Sequence, residues 1–159
     1  MKTLIVYYSY DGNSALIASE LGDLLGADIV RVETVDDKKR MGFSKYVWGG
    51  AQVFSKALPD LKPYTVNLEQ YDLIVLGTPV WAGAPAPAMN SFLNKAKING
   101  KNIALFICHM GGKAKAFEIF KKKLEGNTVV GEIDFISPSK LDRQELGQVI
   151  GAWAEKLKA

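Results

Sequence analysis

The sequence predicts an α/β domain: a doubly wound, five-stranded parallel sheet of strand order 2-1-3-4-5 with helices on both faces. Three observations lead there. Strand and helix patterns alternate from end to end, which calls for parallel strands crossed by helices. Three of the strand segments are uncharged throughout, as strands buried on both faces must be. The second and fifth alternate apolar with charged residues and so belong at the edges. Of the two common doubly wound orders, 2-1-3-4-5 puts both there, whereas an order beginning 3-2-1 exposes the third. At 159 residues the chain reads as one domain, 1–159, large enough to bury roughly 68–70% of its unfolded surface.

Thr3–Tyr8 is an apolar run closed by a polar, glycine-containing turn, the mark of a strand. Ser14–Leu25 follows as a helix with Ile17, Leu21, Leu24 and Leu25 on one face and Gly26 as its stop. In Asp28–Glu33, Val30 and Val32 alternate with Arg31 and Glu33. Leu73–Leu76 is the third strand and Ile103–Ile107 the fourth. Met89, Phe92, Leu93 and Ala96 form a helical stripe entered through Pro85 and Pro87. A helix from about Lys113 ends at Gly126, with Lys121, Lys122 and Lys123 suiting the negative end of its dipole. Val129, Gly131, Ile133 and Phe135 alternate with Glu132 and Asp134 in the fifth strand. Leu146, Val149, Ile150, Trp153 and Leu157 make the clearest helical stripe of all. The irregular part is Asp36–Gln70. There Phe43, Val47, Ala51 and Phe54 suggest a helix, Gly49-Gly50 interrupts it at roughly 1 kcal/mol per glycine, and Lys56–Tyr71 reads as loop.

Composition narrows the function. Hydrophobic residues make up 48% and charged residues 23%, a globular balance. No apolar run approaches the ~20 residues that span a bilayer, and the opening residues lack a signal-peptide pattern; the expected place is the cytoplasm, with no membrane partner. A single cysteine, Cys108, leaves no internal disulfide and no cysteine-based zinc site. The net charge is +3, and no acidic residue lies between Asp72 and Glu118, where Lys95, Lys97, Lys101, Lys113 and Lys115 fall. Neither this stretch nor Lys38-Lys39-Arg40 is accompanied by a nucleic-acid-binding motif. Gly111-Gly112-Lys113 lacks the spacing of a nucleotide P-loop, and no G-x-S-x-G elbow or H-E-x-x-H helix is present.

In such a sheet a ligand binds beyond the carboxyl ends of the strands where the winding reverses, here between the first and third strands. After the first strand come Ser9, Tyr10, Asp11, Gly12, Asn13 and Ser14, leading into a helix. Hydroxyls, a glycine and a helix N-terminus supply the converging donors that hold a phosphate where no cation is at hand; the alternative is that Asn13 or Ser14 caps the helix. After the third strand come Gly77, Thr78, Pro79, Val80, Trp81, Ala82 and Gly83. Trp81, in a loop of small residues, either covers a flat aromatic ligand or packs on a neighbouring helix. After the fourth strand come Cys108, His109, Met110, Gly111 and Gly112, whose glycines permit close backbone approach to a ligand.

Ser9–Ser14 resembles the phosphate-binding loop of the flavodoxin family, Ser/Thr-x-Thr-Gly-x-Thr. Gly77–Gly83 resembles that family's first flavin-flanking loop, and Cys108–Gly112 is similar in position to its second. Without an insertion between the fifth strand and the last helix, the chain looks like a short-chain member or close relative. The resemblance implies a non-covalent FMN. Ser9, Tyr10, Asp11, Gly12, Asn13 and Ser14 would hold its phosphate, and Thr78, Pro79, Val80, Trp81, Ala82 and Gly83 would flank the ring, with Trp81 stacked on it. Cys108, His109, Met110, Gly111 and Gly112 would form the other flank.

Three features depart from the pattern. Asp11 replaces a threonine and sets a carboxylate beside the phosphate. His109 or Met110 stands where many flavodoxins stack a tyrosine. Both flanking loops lack the usual acidic residues. The resemblance implies one-electron transfer between redox partners, either proteins or a small-molecule acceptor. An alternative on the same fold is an FMN-dependent NAD(P)H oxidoreductase acting on quinones or flavins, which the added aromatics Tyr46 and Trp48 favour. A binding domain of this fold that has lost its flavin is a third reading, and Asp11 is its main support.

Overall fold

Alternation of strand and helix produces the expected doubly wound sheet. The computed structural model describes residues 1–36 and 43–159, so the run Lys38-Lys39-Arg40 lies outside the described residues. The strands are β1 (Thr3–Tyr7), β2 (Asp28–Arg31), β3 (Leu73–Trp81), β4 (Ala84–Pro85), β5 (Asn102–His109) and β6 (Thr128–Ile136). The helices are α1 (Asn13–Leu25), α2 (Phe43–Phe54), α3 (Pro87–Ala96), α4 (Ala116–Lys122) and α5 (Arg143–Lys158). The path β2-β1-β3-β5-β6 is parallel throughout, and β4 adds a short antiparallel extension to β3. Counting the parallel strands alone, this is the order 2-1-3-4-5.

The period-two geometry of the strands divides the core in two. Leu4, Val6, Leu76 and Leu105 point to one face, where Met89 and Phe92 of α3 and Phe120 of α4 cover them. Ile5, Val75 and Phe106 point to the other, against Ile17 and Leu21 of α1 and Ile150 and Trp153 of α5. The edge strands β2 and β6 are only partly covered, which is why they tolerate alternating charge. No helix among the described residues is long and apolar enough to cross a membrane.

Four elements differ from the sequence expectation. β3 does not end at Leu76 but runs to Trp81, because β5 runs equally far and pairs with it through Pro79 and Cys108. β1 stops pairing at Gly77; beyond it the Pro79 carbonyl accepts the Ala86 amide at 3.2 Å, and β4 pairs with β3. β3 then turns into β4 through Ala82 and Gly83, whose φ values of 46° and 76° suit a two-residue hairpin. α2 passes unbroken through Gly49-Gly50; Gly49 is its buried residue, its backbone close against the Trp81 indole. α4 begins only at Ala116 and ends at Lys122, since Gly111 (φ 115°) and Ala114 (φ 42°) hold the chain in a turn first. Lys56–Tyr71 is irregular as expected, apart from a single 3-10 turn at Leu68–Gln70 and a bridge from Thr34 to Leu61.

Candidate functional site

The chain winds to the two faces of the sheet on either side of β1 and β3, and a cleft of about 360 Å³ opens beyond their carboxyl ends. That volume is in the range of small-molecule sites. Its floor is the β1–α1 loop. Ser9 is buried; its Oγ accepts the Ala15 amide at 3.2 Å, and its carbonyl accepts a bond from Arg31 at 3.4 Å. Gly12, at φ 92°, precedes α1 in a left-handed conformation that other residues rarely adopt. The N-cap of α1, Gly12, has no side chain, and it is Ser9 Oγ that takes the Ala15 amide in the first turn of the helix. Asn13 Oδ1 instead accepts the Ser139 amide at 3.0 Å, tying the loop to the segment before α5. The Ser14 hydroxyl is buried with no hydrogen-bond partner. The expectation that Asn13 or Ser14 caps the helix is therefore not met. A buried hydroxyl in the first turn of a helix, beside an amide that Ser9 does not take, is a donor set open to an acceptor.

One wall is aromatic. Trp81, partly buried at the end of β3, meets Tyr8 edge-on at 5.8 Å, Tyr10 at 5.6 Å and Trp48 of α2 at 5.4 Å. Tyr10 and Trp48 lie tilted at 6.0 Å. Trp81 thus combines both of its alternative roles: it packs on a helix and it lines the cleft. Val80, Pro79 and Ala82 line the same wall. Thr78 does not reach it. Its fully buried hydroxyl accepts the Ala86 amide at 3.1 Å and bonds the Pro79 carbonyl, closing the base of the hairpin.

The opposite wall follows β5. Cys108, His109, Met110 and Gly112 line it. Burial pushes the Cys108 thiol up to about 12, against a smaller opposing effect of the Ser14 hydroxyl, so Cys108 is a packed, unreactive side chain. His109 is buried rather than an exposed stacking residue. Its Nδ1 accepts the Gly111 amide at 3.1 Å, which assigns the ring proton to Nε2, the donor to Asp134 Oδ2 at 2.9 Å. Lys113 Nζ reaches the other oxygen of Asp134 at 2.7 Å. Burial alone would raise the Asp134 carboxyl, but Lys113 and His109 outweigh it and hold it below the ordinary carboxylate range. The network fixes the bend after β5.

α2 supplies what the loop motifs omit. Lys45, Tyr46, Trp48, Gly49 and Gly50 all line the cleft. Lys45 Nζ stands 3.6 Å from Asp11 Oδ2 and 5.1 Å from the centre of the Tyr46 ring. The half-exposed Asp11 carboxylate is thus paired, and a cation is brought to a loop whose own sequence has none. Tyr46 also reaches across the mouth, its hydroxyl 3.9 Å from Met110 Sδ. Of the residues singled out, Gly12, Thr78, Gly83 and Gly111 lie outside the cleft lining; the other members of the segments Ser9–Ser14, Thr78–Gly83 and Cys108–Gly112 line it together with α2. The aromatics Tyr46 and Trp48 were visible in the sequence, but Lys45 was not, since nothing local connects it to Asp11.

Several solved structures share this architecture. A flavoprotein in complex with FMN from Lactobacillus acidophilus NCFM is 24% identical with a TM-score of 0.74, over 84% of this chain and 92% of that one. The apo-form of the flavoprotein from the same organism is 27% identical with a TM-score of 0.66, over 87% and 94%. Oxidised Flavodoxin 1 from Bacillus cereus is 20% identical with a TM-score of 0.60, over 99% and 98%. No curated protein matches the chain in a search by sequence. A family model described as a flavodoxin domain matches residues 50–146, more than half of the chain. With the loops, the sheet order and this match in agreement, the chain belongs to the flavodoxin domain family.

Proposed function

We propose that this protein binds FMN in the cleft beyond β1 and β3 and passes electrons one at a time between redox partners. The observation that carries the reading is the buried Ser14 hydroxyl, without a hydrogen-bond partner in the first turn of α1. Such a site is completed by an anion with several acceptor oxygens, and a phosphate monoester is one. When bound, the flavin supplies the redox chemistry. The chain supplies the rest. Ser14 and the α1 amides receive the phosphate, while Lys45 offsets the charge of Asp11 beside it. Trp81 and Trp48 form an apolar wall that excludes water from a planar ring. Neither flanking segment carries a carboxylate, so the cleft is less hostile to a reduced, anionic ring than an acidic one would be.

The test is an FMN titration followed by fluorescence, with Ser14→Ala and Trp81→Ala alongside the native chain. Each change should weaken binding by roughly 1–3 kcal/mol, the scale of a lost charge-assisted hydrogen bond or buried aromatic contact. Undiminished affinity in both variants, or no FMN uptake by the native chain, overturns the reading. A second reading, an FMN-dependent NAD(P)H oxidoreductase acting on quinones or flavins, is favoured by one observation: α2 encloses the cleft with Tyr46 and Trp48. Stepwise reduction of the FMN-loaded protein separates the two. A long-wavelength band at half reduction favours the carrier; direct bleaching, together with NAD(P)H-driven quinone reduction, favours the reductase.

A further inference from the structure

His109 is the one histidine of the chain, and it stands where β5 ends and the second flank of the cleft begins. Its ring is buried, and both nitrogens are used. Nδ1 accepts the Gly111 amide at 3.1 Å, and Nε2 donates to Asp134 Oδ2 at 2.9 Å. An amide N–H only donates, so Nδ1 carries no proton and the ring in this arrangement is neutral. Beyond the ring the turn is loosely held. Gly111 and Gly112 are exposed, and a β-carbon on either would meet nothing within 4 Å. The bond from the Gly111 amide to the imidazole therefore ties the turn down, and Gly112 within it lines the cleft.

We propose that His109 is a positioning residue for this flank, and that a proton on its Nδ1 releases the Gly111-Gly112 turn and loosens the hold of the cleft on its ligand. The proton and the Gly111 amide compete for one lone pair. Once Nδ1 carries a hydrogen, two donors face each other and the peptide has to turn away. Imidazole is the side chain that gains this proton between about pH 5 and 8. The charges at the ring act in opposite directions. Asp134 of β6 favours the imidazolium, and Lys113, 2.7 Å from the other Asp134 oxygen, offsets it. Further along the same elements, Lys121 of α4 is closed on Glu132 of β6 at 3.0 Å, and across the cleft Lys45 faces Asp11 at 3.6 Å. The remaining charges at the start of α4, Lys115 and Glu118, are opposite in sign. The effect on the ligand rests on the cleft holding FMN; the coupling of ring to turn does not.

The full chain, isotope-labelled and without FMN, is followed by NMR from about pH 8 to about pH 5; with one histidine the ring signals are unambiguous. The ring and the Gly111 amide should move together with one midpoint. Asp134→Asn keeps an acceptor for Nε2 but removes the charge, and should shift that midpoint down by about one pH unit. Lys113→Met should shift it up. A merely structural role for His109 predicts neither shift. FMN affinity is then measured by fluorescence at the two ends of the same pH range. Its loss on acidification should be about threefold to tenfold greater in the native chain than in His109→Gln, which reports the titration of the FMN phosphate itself. An amide that stays still while the ring titrates, a ring that takes up no proton in this range, or equal acid losses in both proteins overturns the proposal. No FMN uptake at either pH overturns the function proposed above instead, and the spectra still decide the coupling.

Discussion

Gly77 and Lys45 illustrate how differently single residues contribute here. Gly77 has an ordinary strand conformation, yet an added methyl group would overlap the ring of Phe106, which has no exposed surface and no room to withdraw. Gly77→Ala should therefore destabilise the protein by about 1–3 kcal/mol, read as a shift of the urea midpoint at unchanged slope. An unaltered midpoint would mean that the ring yields. Lys45 does little for stability, because its pairing with the half-exposed Asp11 is screened by water. Its weight falls on the cleft. Lys45→Met should leave the melt in place and weaken FMN binding by about 1 kcal/mol, or about fivefold; equal affinity would show that Asp11 does not oppose the phosphate. Replacing Cys108 offers no such lever, since its thiol is buried and held protonated.

At the scale of elements, α2 and the β3–β4 hairpin shape the cleft, and both contain residues that local rules disfavour. Ala82 holds a positive φ in the hairpin turn, a position that glycine or asparagine usually takes. α2 contains two adjacent glycines, and they are not equivalent. At Gly49 a β-carbon would rest 3.4 Å from the Trp81 ring, whereas at Gly50 it would meet nothing within 4 Å. Gly50→Ala is expected to stabilise the protein by about 1 kcal/mol, the helix-propensity difference, as a raised urea midpoint. A lowered midpoint would indicate that the helix needs its flexibility there. The glycine pair reads as an interruption because propensity counts only local cost; docking against the Trp48–Trp81 pair offsets it.

For the whole molecule, His109, Asp134 and Lys113 link β5, β6 and the approach to α4, so the same network that bends the loop beside the cleft also ties the edge strand β6 to its neighbour β5. The folded Asp134 carboxyl titrates below its ordinary value of 3.8. The folded state thus binds that proton less tightly than the unfolded chain. The stability this contributes is present in full above the ordinary value and is lost as the pH falls through the folded one. Asp134→Asn should cost about 1–3 kcal/mol at pH 7, and the gap to the native chain should narrow below about pH 4. Urea titrations at pH 7 and pH 3 check both statements. A gap that stays constant with pH would assign the loss to packing rather than to charge.

What the sequence by itself determined is the fold and where its cleft opens. Apolar continuity in β1, β3 and β5 and charge alternation in β2 and β6 report burial on two faces or one, and that difference alone orders the sheet. The order in turn locates the reversal of winding, and Ser9–Ser14 stands at it. The tertiary structure decided which residues act together there. The partnership of Asp11 with Lys45, the tie of Asn13 to Ser139 and the burial of His109 against Asp134 join residues distant in sequence. The direction in which α2 presents its apolar stripe was likewise undecided. A hydrophobic period specifies that a helix has an apolar face; only its packing partners specify whether that face turns inward, and here Trp81 receives the small-residue side and leaves Phe43 and Phe54 to solvent.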